Sequence, residues 1–169
     1  MPEFRDLLSD PALIRFFDFW ESMRGGRAMP ARRDLDPLQM PRGFLPNIML
    51  IDVLRDRPRL RYRLIGSNIV TATGENRTGR FFDEFGFFRD HPGVLPHYET
   101  VARTGRPHYS PEPFTNFISE SSYDADCLIL PLSDDGRQVD TLLVLFQFNT
   151  GPFAARLPGE ANWAPAAAG

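Results

Sequence analysis

Hydrophobic side chains recur at helical spacing near the start of the chain, between residues 11 and 24. Asp10 can accept hydrogen bonds from the first backbone N–H groups of a helix, and the pair Gly25 and Gly26 can end one. The pattern therefore predicts a helix over residues 11–24. Its apolar residues cover about 220° of the helix circumference, which is more than packing against one surface requires. We expect the helix to contact its own domain and a second subunit. The residues assigned to this homodimer interface are Leu13, Phe16, Phe17, Trp20 and Met23.

Strand patterns begin after a proline-rich linker over residues 26–46. The clearest alternation places Leu60, Tyr62 and Leu64 on one face of a strand and three arginines on the other. The five predicted strands cover residues 48–54, 59–64, 107–118, 123–132 and 139–149. Short helices are predicted over 36–40, 67–73 and 96–104. This order predicts an α+β fold with one five-stranded antiparallel sheet, short helices on one face and the N-terminal helix on the other.

The length of 169 residues suits one domain of ordinary size. A composition of 42% hydrophobic and 24% charged residues is typical of a globular protein with its own core. We therefore expect an N-terminal arm over residues 1–9 and a domain over residues 10–149. The remainder, residues 150–169, is rich in Ala, Pro and Gly without periodicity and is predicted to be a disordered tail.

Charge and residue types exclude several functions. A net charge of -3 argues against a dedicated nucleic-acid binder. All 19 basic residues are Arg, which excludes a Schiff-base, P-loop or catalytic lysine. The single cysteine, Cys127, can form neither an internal disulfide nor a cysteine-based zinc site. The first ten residues lack a signal-peptide pattern, and apolar runs such as 142–146 are too short to span a bilayer, so we expect a cytoplasmic protein without a membrane partner.

Several short motifs occur in an order that resembles the PAS domain, and more closely a proteobacterial family of single-domain PAS proteins. The motifs, spread over residues 16–149, are Phe19-Trp20, Arg24-Gly25-Gly26-Arg27, Met29-Pro30-Ala31-Arg32, Asp36-Pro37, residues 61–66 (RYRLIG) and residues 74–80 (GENRTGR). The resemblance implies a sensory or protein-interaction fold, often dimeric through its N-terminal helix. It implies no known reaction.

The resemblance also implies a cavity between the sheet and the short helices. The residues expected to line it are Tyr62, His97, Tyr98, Phe114 and Phe146. The alternative, that these side chains fill the space completely, stays open. Some PAS domains hold haem through a histidine on the helix that carries His97, but a helix-capping or solvent-facing histidine is the favoured interpretation. His91 and His108 are expected to be exposed.

No cofactor is assigned from the sequence. Flavin photochemistry of the light-oxygen-voltage (LOV) type needs a cysteine near the start of the central helical segment, and residues 74–79 contain none. The basic stretch from Arg24 to Arg33 is interpreted as a salt-bridged surface linker rather than an anion site, because Glu21, Asp34 and Asp36 lie close by in sequence.

The leading hypothesis is therefore a non-catalytic PAS sensory module that binds a small ligand or a signalling protein and acts as a homodimer. One alternative is a small enzyme with a cone-shaped pocket, like the ketosteroid isomerases, that uses Tyr98, His97 or a buried Asp. The other alternative is a structural dimer with a filled core. A monomer in solution would contradict the first hypothesis, and an all-apolar cavity would contradict the second.

Overall fold

The N-terminal region forms two helices, α1 (Pro2–Arg5) and α2 (Pro11–Arg24), in a computed structural model that describes residues 2–55, 59–111, 114–116, 121–123 and 125–150. The Asp10 carboxylate accepts hydrogen bonds from the backbone N–H of Ala12 at 2.6 Å and of Leu13 at 3.4 Å. The helix ends at Gly25, whose φ of 56° lies in the left-handed region that glycine adopts readily. The predicted helix over residues 11–24 is confirmed.

The remaining elements alternate between strands and short helices. In chain order they are β1 (Ile48–Leu54), β2 (Arg59–Ile65), α3 (Ser67–Thr73), α4 (Phe87–Asp90), α5 (Leu95–Thr104), β3 (His108–Ser110), β4 (Phe114–Asn116), β5 (Ser121–Tyr123), β6 (Ala125–Leu132) and β7 (Thr141–Phe148). Single 3-10 turns lie at Arg32–Asp34, Leu45–Asn47 and Phe82–Glu84. Among the described residues, no helix is long and apolar enough to cross a bilayer.

Five strands form one sheet in the order β2-β1-β7-β6-β3, and every neighbouring pair is antiparallel. The central strand, β7, is entirely buried and its neighbour β1 is almost entirely so, because both faces of the sheet are covered. The helices α3, α4 and α5 lie on one face, which we call the inner face, and α2 covers the outer face. The predicted α+β architecture is confirmed.

Two predicted elements differ from the structure. The long strand predicted over 107–118 is divided into β3 and β4, and β4 pairs with β5 in a separate hairpin. Pro111 and Pro113 lie between the two pieces, and proline cannot donate a hydrogen bond to a strand ladder. The short helix predicted over 36–40 is a turn, because the Asp36 carboxylate accepts a hydrogen bond from the Leu38 N–H at 2.9 Å and favours turn geometry. The predicted tail lies outside the described residues apart from Thr150.

Most of the predicted dimer interface lies inside the chain. Leu13, Phe16, Phe17 and Trp20 are each exposed by 1% or less, and Met23 is half-buried. The Phe17 ring lies 5.2 Å from that of Phe4 on α1, and the Phe16 ring lies 5.0 Å from that of Phe44. The second surface that the wide apolar arc requires is therefore supplied by α1 and the segment before β1. In the single chain, the four buried side chains belong to the core and are not available to a partner subunit.

Candidate functional site

A cavity of about 210 Å³ lies between the inner face of the sheet and the short helices. Most of its lining is apolar or aromatic, and its polar groups come from only a few side chains. The lining residues are Met49, Tyr62, Ile65, Ile69, Thr73, Arg77, Phe87, Phe88, His91, Val94, His97, Tyr98, Ser110, Cys127, Ile129 and Phe146. The aromatic residues of the core therefore do not fill this space.

Strand alternation supplies the sheet side of the cavity. Cys127 and Ile129 on β6 are two residues apart and point to the same face. Cys127 pairs with Phe146 of β7 on one side and with Ser110 of β3 on the other, so three neighbouring strands present side chains to the same end of the cavity. The residue between them, Leu128, points to the outer face and is fully buried beneath the cover of that face.

A cluster of four aromatic rings forms one wall. The Phe82 ring lies 4.4 Å from Tyr62 on β2, 4.6 Å from Phe88 on α4 and 5.3 Å from Tyr98 on α5. Phe82 and Phe88 are stacked within 9° of parallel, whereas Tyr98 meets Phe82 edge-on. Aromatic pairs bury apolar area and also prefer particular orientations of the two rings, which restricts how these side chains can pack. The cluster fixes α4 and α5 against the edge strand.

Among the described residues of the lining, Arg77 is the only permanently charged side chain. Its Nε donates to the Glu75 Oε1 at 2.9 Å, and its guanidinium lies 4.5 Å from the centre of the Phe85 ring. The positive charge of Arg77 also acts on the Tyr62 hydroxyl. Burial raises the pKa of Tyr62 to about 12, and the nearby Arg77 partly opposes this rise.

Tyr98 is buried in the site, where its hydroxyl lies close to the Cys127 thiol. Burial raises the pKa of Tyr98 well above its ordinary value, and Cys127 raises it further. The contact joins α5 to β6 across the inner face. Cys127 is therefore a partnered, cavity-lining thiol and not only a small buried hydrophobic residue.

The three histidines lie near one another on the helical side of the sheet. His91 and His97 line the cavity, and the His97 ring stacks on His108 of β3 with 4.3 Å between ring centres. The prediction that His91 and His108 are exposed is wrong, because both are half-buried. Among the described residues, no group of three His, Cys, Asp or Glu side chains is placed to hold a metal ion.

Four of the five predicted ligand-binding residues line this cavity, namely Tyr62, His97, Tyr98 and Phe146. The fifth, Phe114, lies in β4, and its side chain is outside the part of the chain that the structure describes. Their role in ligand binding stays a prediction. Arg77 is not recognisable from the sequence as a lining residue, because its position beside Tyr62 depends on how the segment after α3 folds back onto β2.

The described lining contains no aspartate or glutamate. The described part of this cavity therefore offers no Asp for a ketosteroid isomerase-like mechanism. The lining is nevertheless not all apolar, so the test stated for the enzyme alternative is not met. Outside the cavity, the basic stretch is paired as the linker interpretation predicts. Arg24 contacts Glu21 at 2.8 Å, and Arg27 contacts Asp34 at 2.5 Å.

Comparison with known proteins supports the same architecture. A family model described as a PAS domain matches residues 8–146 of the chain. No curated protein sequence gives a significant match.

Solved structures resemble the chain at low sequence identity. A LOV protein of Rhodobacter sphaeroides is 14% identical, with 68% of each chain covered and a TM-score of 0.50. An RNA-binding light-oxygen-voltage receptor is 11% identical with a TM-score of 0.52, and the match covers 67% of this chain. The chain spans only 32% of that receptor's length. At these identities the likeness concerns the fold alone.

Proposed function

The chain belongs to the PAS domain family, and on this premise we propose that it is a non-catalytic sensory module that binds a small molecule in its cavity. The observation that supports the proposal is the space of about 210 Å³ between the sheet and the short helices. A concave, largely apolar site with a few converging polar groups is the usual form of a small-molecule site.

Two contacts favour binding over catalysis. The Tyr98 hydroxyl lies beside the Cys127 thiol, and Arg77 is held by Glu75. General acid–base catalysis needs a group that exchanges protons near neutral pH, whereas the pKa values of Tyr62 and Tyr98 are both raised away from that range. Tyr62 and Tyr98 therefore suit recognition of a ligand better than proton transfer.

A ligand in this cavity would contact both the sheet and the helices that enclose it. Ile129 lies in the lining, and two residues later on β6 the Pro131 carbonyl accepts a hydrogen bond from Trp20 of α2. A ligand that binds one arrangement of β6 more tightly than another shifts the population toward it. We propose that α2 and the outer face report occupancy of the cavity to a signalling partner.

The homodimer expected from the sequence remains part of the proposal, but the interface is reassigned. Because four of the five α2 residues first assigned to it are core residues, a dimer must use surface that the single chain leaves exposed. Leu7, which is 64% exposed, is a large apolar residue in that exposed set. Native mass spectrometry and light scattering would measure the subunit count, and a monomer at high concentration would contradict this part of the proposal.

The cavity does not suit a flavin or a haem. Sites for drug-sized ligands and cofactors usually enclose about 300–1,000 Å³. The space here is about 210 Å³, and the chain's only cysteine lies on β6 rather than in residues 74–79. No step of the proposed function uses either group.

Binding of toluene, a probe of suitable size, tests the proposal. We expect toluene to raise the melting temperature of the wild-type protein and to leave that of Ile129→Phe almost unchanged, because the larger side chain occupies the cavity. Absence of a shift in the wild-type protein, or an equal shift in both proteins, would count against a ligand-binding cavity. Native mass spectrometry of freshly purified protein would identify a co-purifying ligand.

A further inference from the structure

We propose that the cavity selects a small organic anion, a carboxylate attached to an apolar body about the size of one substituted ring, and that Arg77 binds the carboxylate. The inference rests on the proposed function and names the ligand class for the same site. The observation behind it is the position of Arg77, because the other described residues of the lining are neutral side chains and histidines.

The charge of Arg77 is not balanced inside the cavity. Its side chain is only 13% exposed, whereas that of its ion-pair partner Glu75 is 45% exposed and is not part of the lining. An anionic ligand can form a second, less exposed ion pair with this guanidinium, because the low dielectric of a largely apolar cavity strengthens the attraction between opposite charges. The described lining supplies no such anion of its own.

Arg77 also has donors left for a ligand. A guanidinium carries five N–H donors, and its planar fork matches the two oxygens of a carboxylate. The contact with Glu75 uses Nε, which leaves the N–H groups of the two terminal guanidinium nitrogens. The remaining donors suffice for the two parallel hydrogen bonds of a bidentate pair.

The surroundings hold the guanidinium in place before a ligand arrives. Phe85 packs against it at 4.5 Å, and its Nε donates to Glu75, a hydrogen bond that the amide oxygen of a glutamine at position 75 can also accept. Such preorganisation lowers the entropic cost of binding. Tyr62 remains protonated at neutral pH, because burial raises its pKa to about 12, and its hydroxyl can donate to the second carboxylate oxygen. Two donors of different type therefore converge on one place.

The apolar part of the ligand follows from the volume and the remaining lining. An apolar cavity of about 150 Å³ accepts benzene. The space of about 210 Å³ therefore accommodates one ring with a short acidic substituent. Ile129, Phe146 and Val94 supply apolar surface for the ring.

Three probes separate charge from shape, namely phenylacetate, its neutral isostere phenylacetamide, and toluene. We expect the wild-type protein to bind phenylacetate about 10- to 100-fold more tightly than phenylacetamide, as measured by calorimetry, because hydrogen bonds to charged groups contribute more than neutral ones. Arg77→Met should remove this preference and retain toluene binding. Retained toluene binding also shows that the variant is folded.

Glu75→Gln is the second variant, and it leaves Arg77 in place. Removing the competing carboxylate should tighten phenylacetate binding by about two- to fivefold and leave toluene binding unchanged. A merely structural role for Arg77 predicts the opposite, namely equal losses for all three probes in both variants. Wild-type protein that binds toluene without preferring phenylacetate overturns the anion inference and leaves the proposed function standing. Failure to bind any of the probes overturns both.

Discussion

The indole Nε1 of Trp20 donates a hydrogen bond of 2.9 Å to the backbone carbonyl oxygen of Pro131. The two residues are 111 positions apart, and the bond joins α2 to β6 in the buried interior. It satisfies a polar group on each side, since a buried indole N–H without a partner costs stability. The contact fixes the position of α2 on the outer face of the sheet.

Replacement of Trp20 should therefore destabilise the protein, and the loss of stability should be larger when buried volume is lost together with the hydrogen bond. Trp20→Phe removes the hydrogen bond and leaves the Pro131 carbonyl without its indole donor, which should lower the free energy of unfolding by about 1–3 kcal/mol. Trp20→Ala also leaves a large void and should lower it by about 3–5 kcal/mol. Urea unfolding followed by fluorescence or circular dichroism measures both values.

Leu38→Ala is the control for this series. Leu38 is 93% exposed, so the substitution removes little buried surface and should change the free energy of unfolding by less than about 0.5 kcal/mol. If Trp20→Ala were as mild as this control, α2 would not be packed on the sheet as described.

The two faces of β6 should respond differently to the same increase in side-chain volume. Leu128 and Ile129 are neighbours, both buried, but only Ile129 borders the cavity. Leu128→Phe has no space to enter and should lower the free energy of unfolding by about 1–3 kcal/mol. Ile129→Phe can extend into the cavity and should cost less than about 1 kcal/mol. Equal costs in urea unfolding would show that the cavity is not open to a side chain of this size.

Position 66 requires glycine because neighbouring backbone atoms lie too close for a Cβ, and not because its backbone conformation is unusual. A Cβ at this position would lie 2.6 Å from the Leu45 carbonyl oxygen and still closer to that of Pro46. Both are backbone atoms that cannot move aside without shifting the turn before β1. We expect Gly66→Ala to lower the thermal midpoint by several degrees, since overpacking of this kind costs about 1–3 kcal/mol.

Gly93 provides the matched control for Gly66. A Cβ there would meet no atom within 4 Å, and its φ is not positive. Gly93→Ala should therefore leave the midpoint unchanged or raise it slightly by restricting the unfolded chain. A similar loss in both variants would argue against a specific contact between Gly66 and the turn.

The sequence pattern predicts local elements well where the periodicity and its end signals agree. The predicted ranges of α2, β1 and α3 coincide with the structure, because capping residues or turns define each end. The wide apolar arc of α2 correctly indicates two buried sides. It cannot indicate which segment covers the second side, since Phe4 and Phe44 reach the helix only through the tertiary fold.

The cavity was predictable only in part for the same reason. Alternation on β2 and β7 identifies Tyr62 and Phe146 as inward-facing, and helical spacing places His97 and Tyr98 on α5. Arg77 has no such signal, because it lies in an irregular segment and enters the lining through contacts with Tyr62 and Phe85. Charged residues in loops are usually solvated, so neither periodicity nor composition distinguishes this one.

The raised pKa of Tyr62 predicts a loss of stability at alkaline pH. Burial raises this pKa from 10.0 to about 12, so the folded protein holds the proton more tightly than the unfolded chain. The contribution is fully present below pH 10 and is lost as the pH rises toward 12, by about 1 kcal/mol at pH 11. Tyr62→Phe removes this titration but leaves the buried Tyr98 in place, so its free energy of unfolding should fall less steeply between pH 9 and 11. Urea unfolding at several pH values measures the two slopes.

Parallel curves for the wild-type protein and the variant would mean that the Tyr62 hydroxyl is solvated. The hydroxyl would then not be the buried donor on which anion binding beside Arg77 depends.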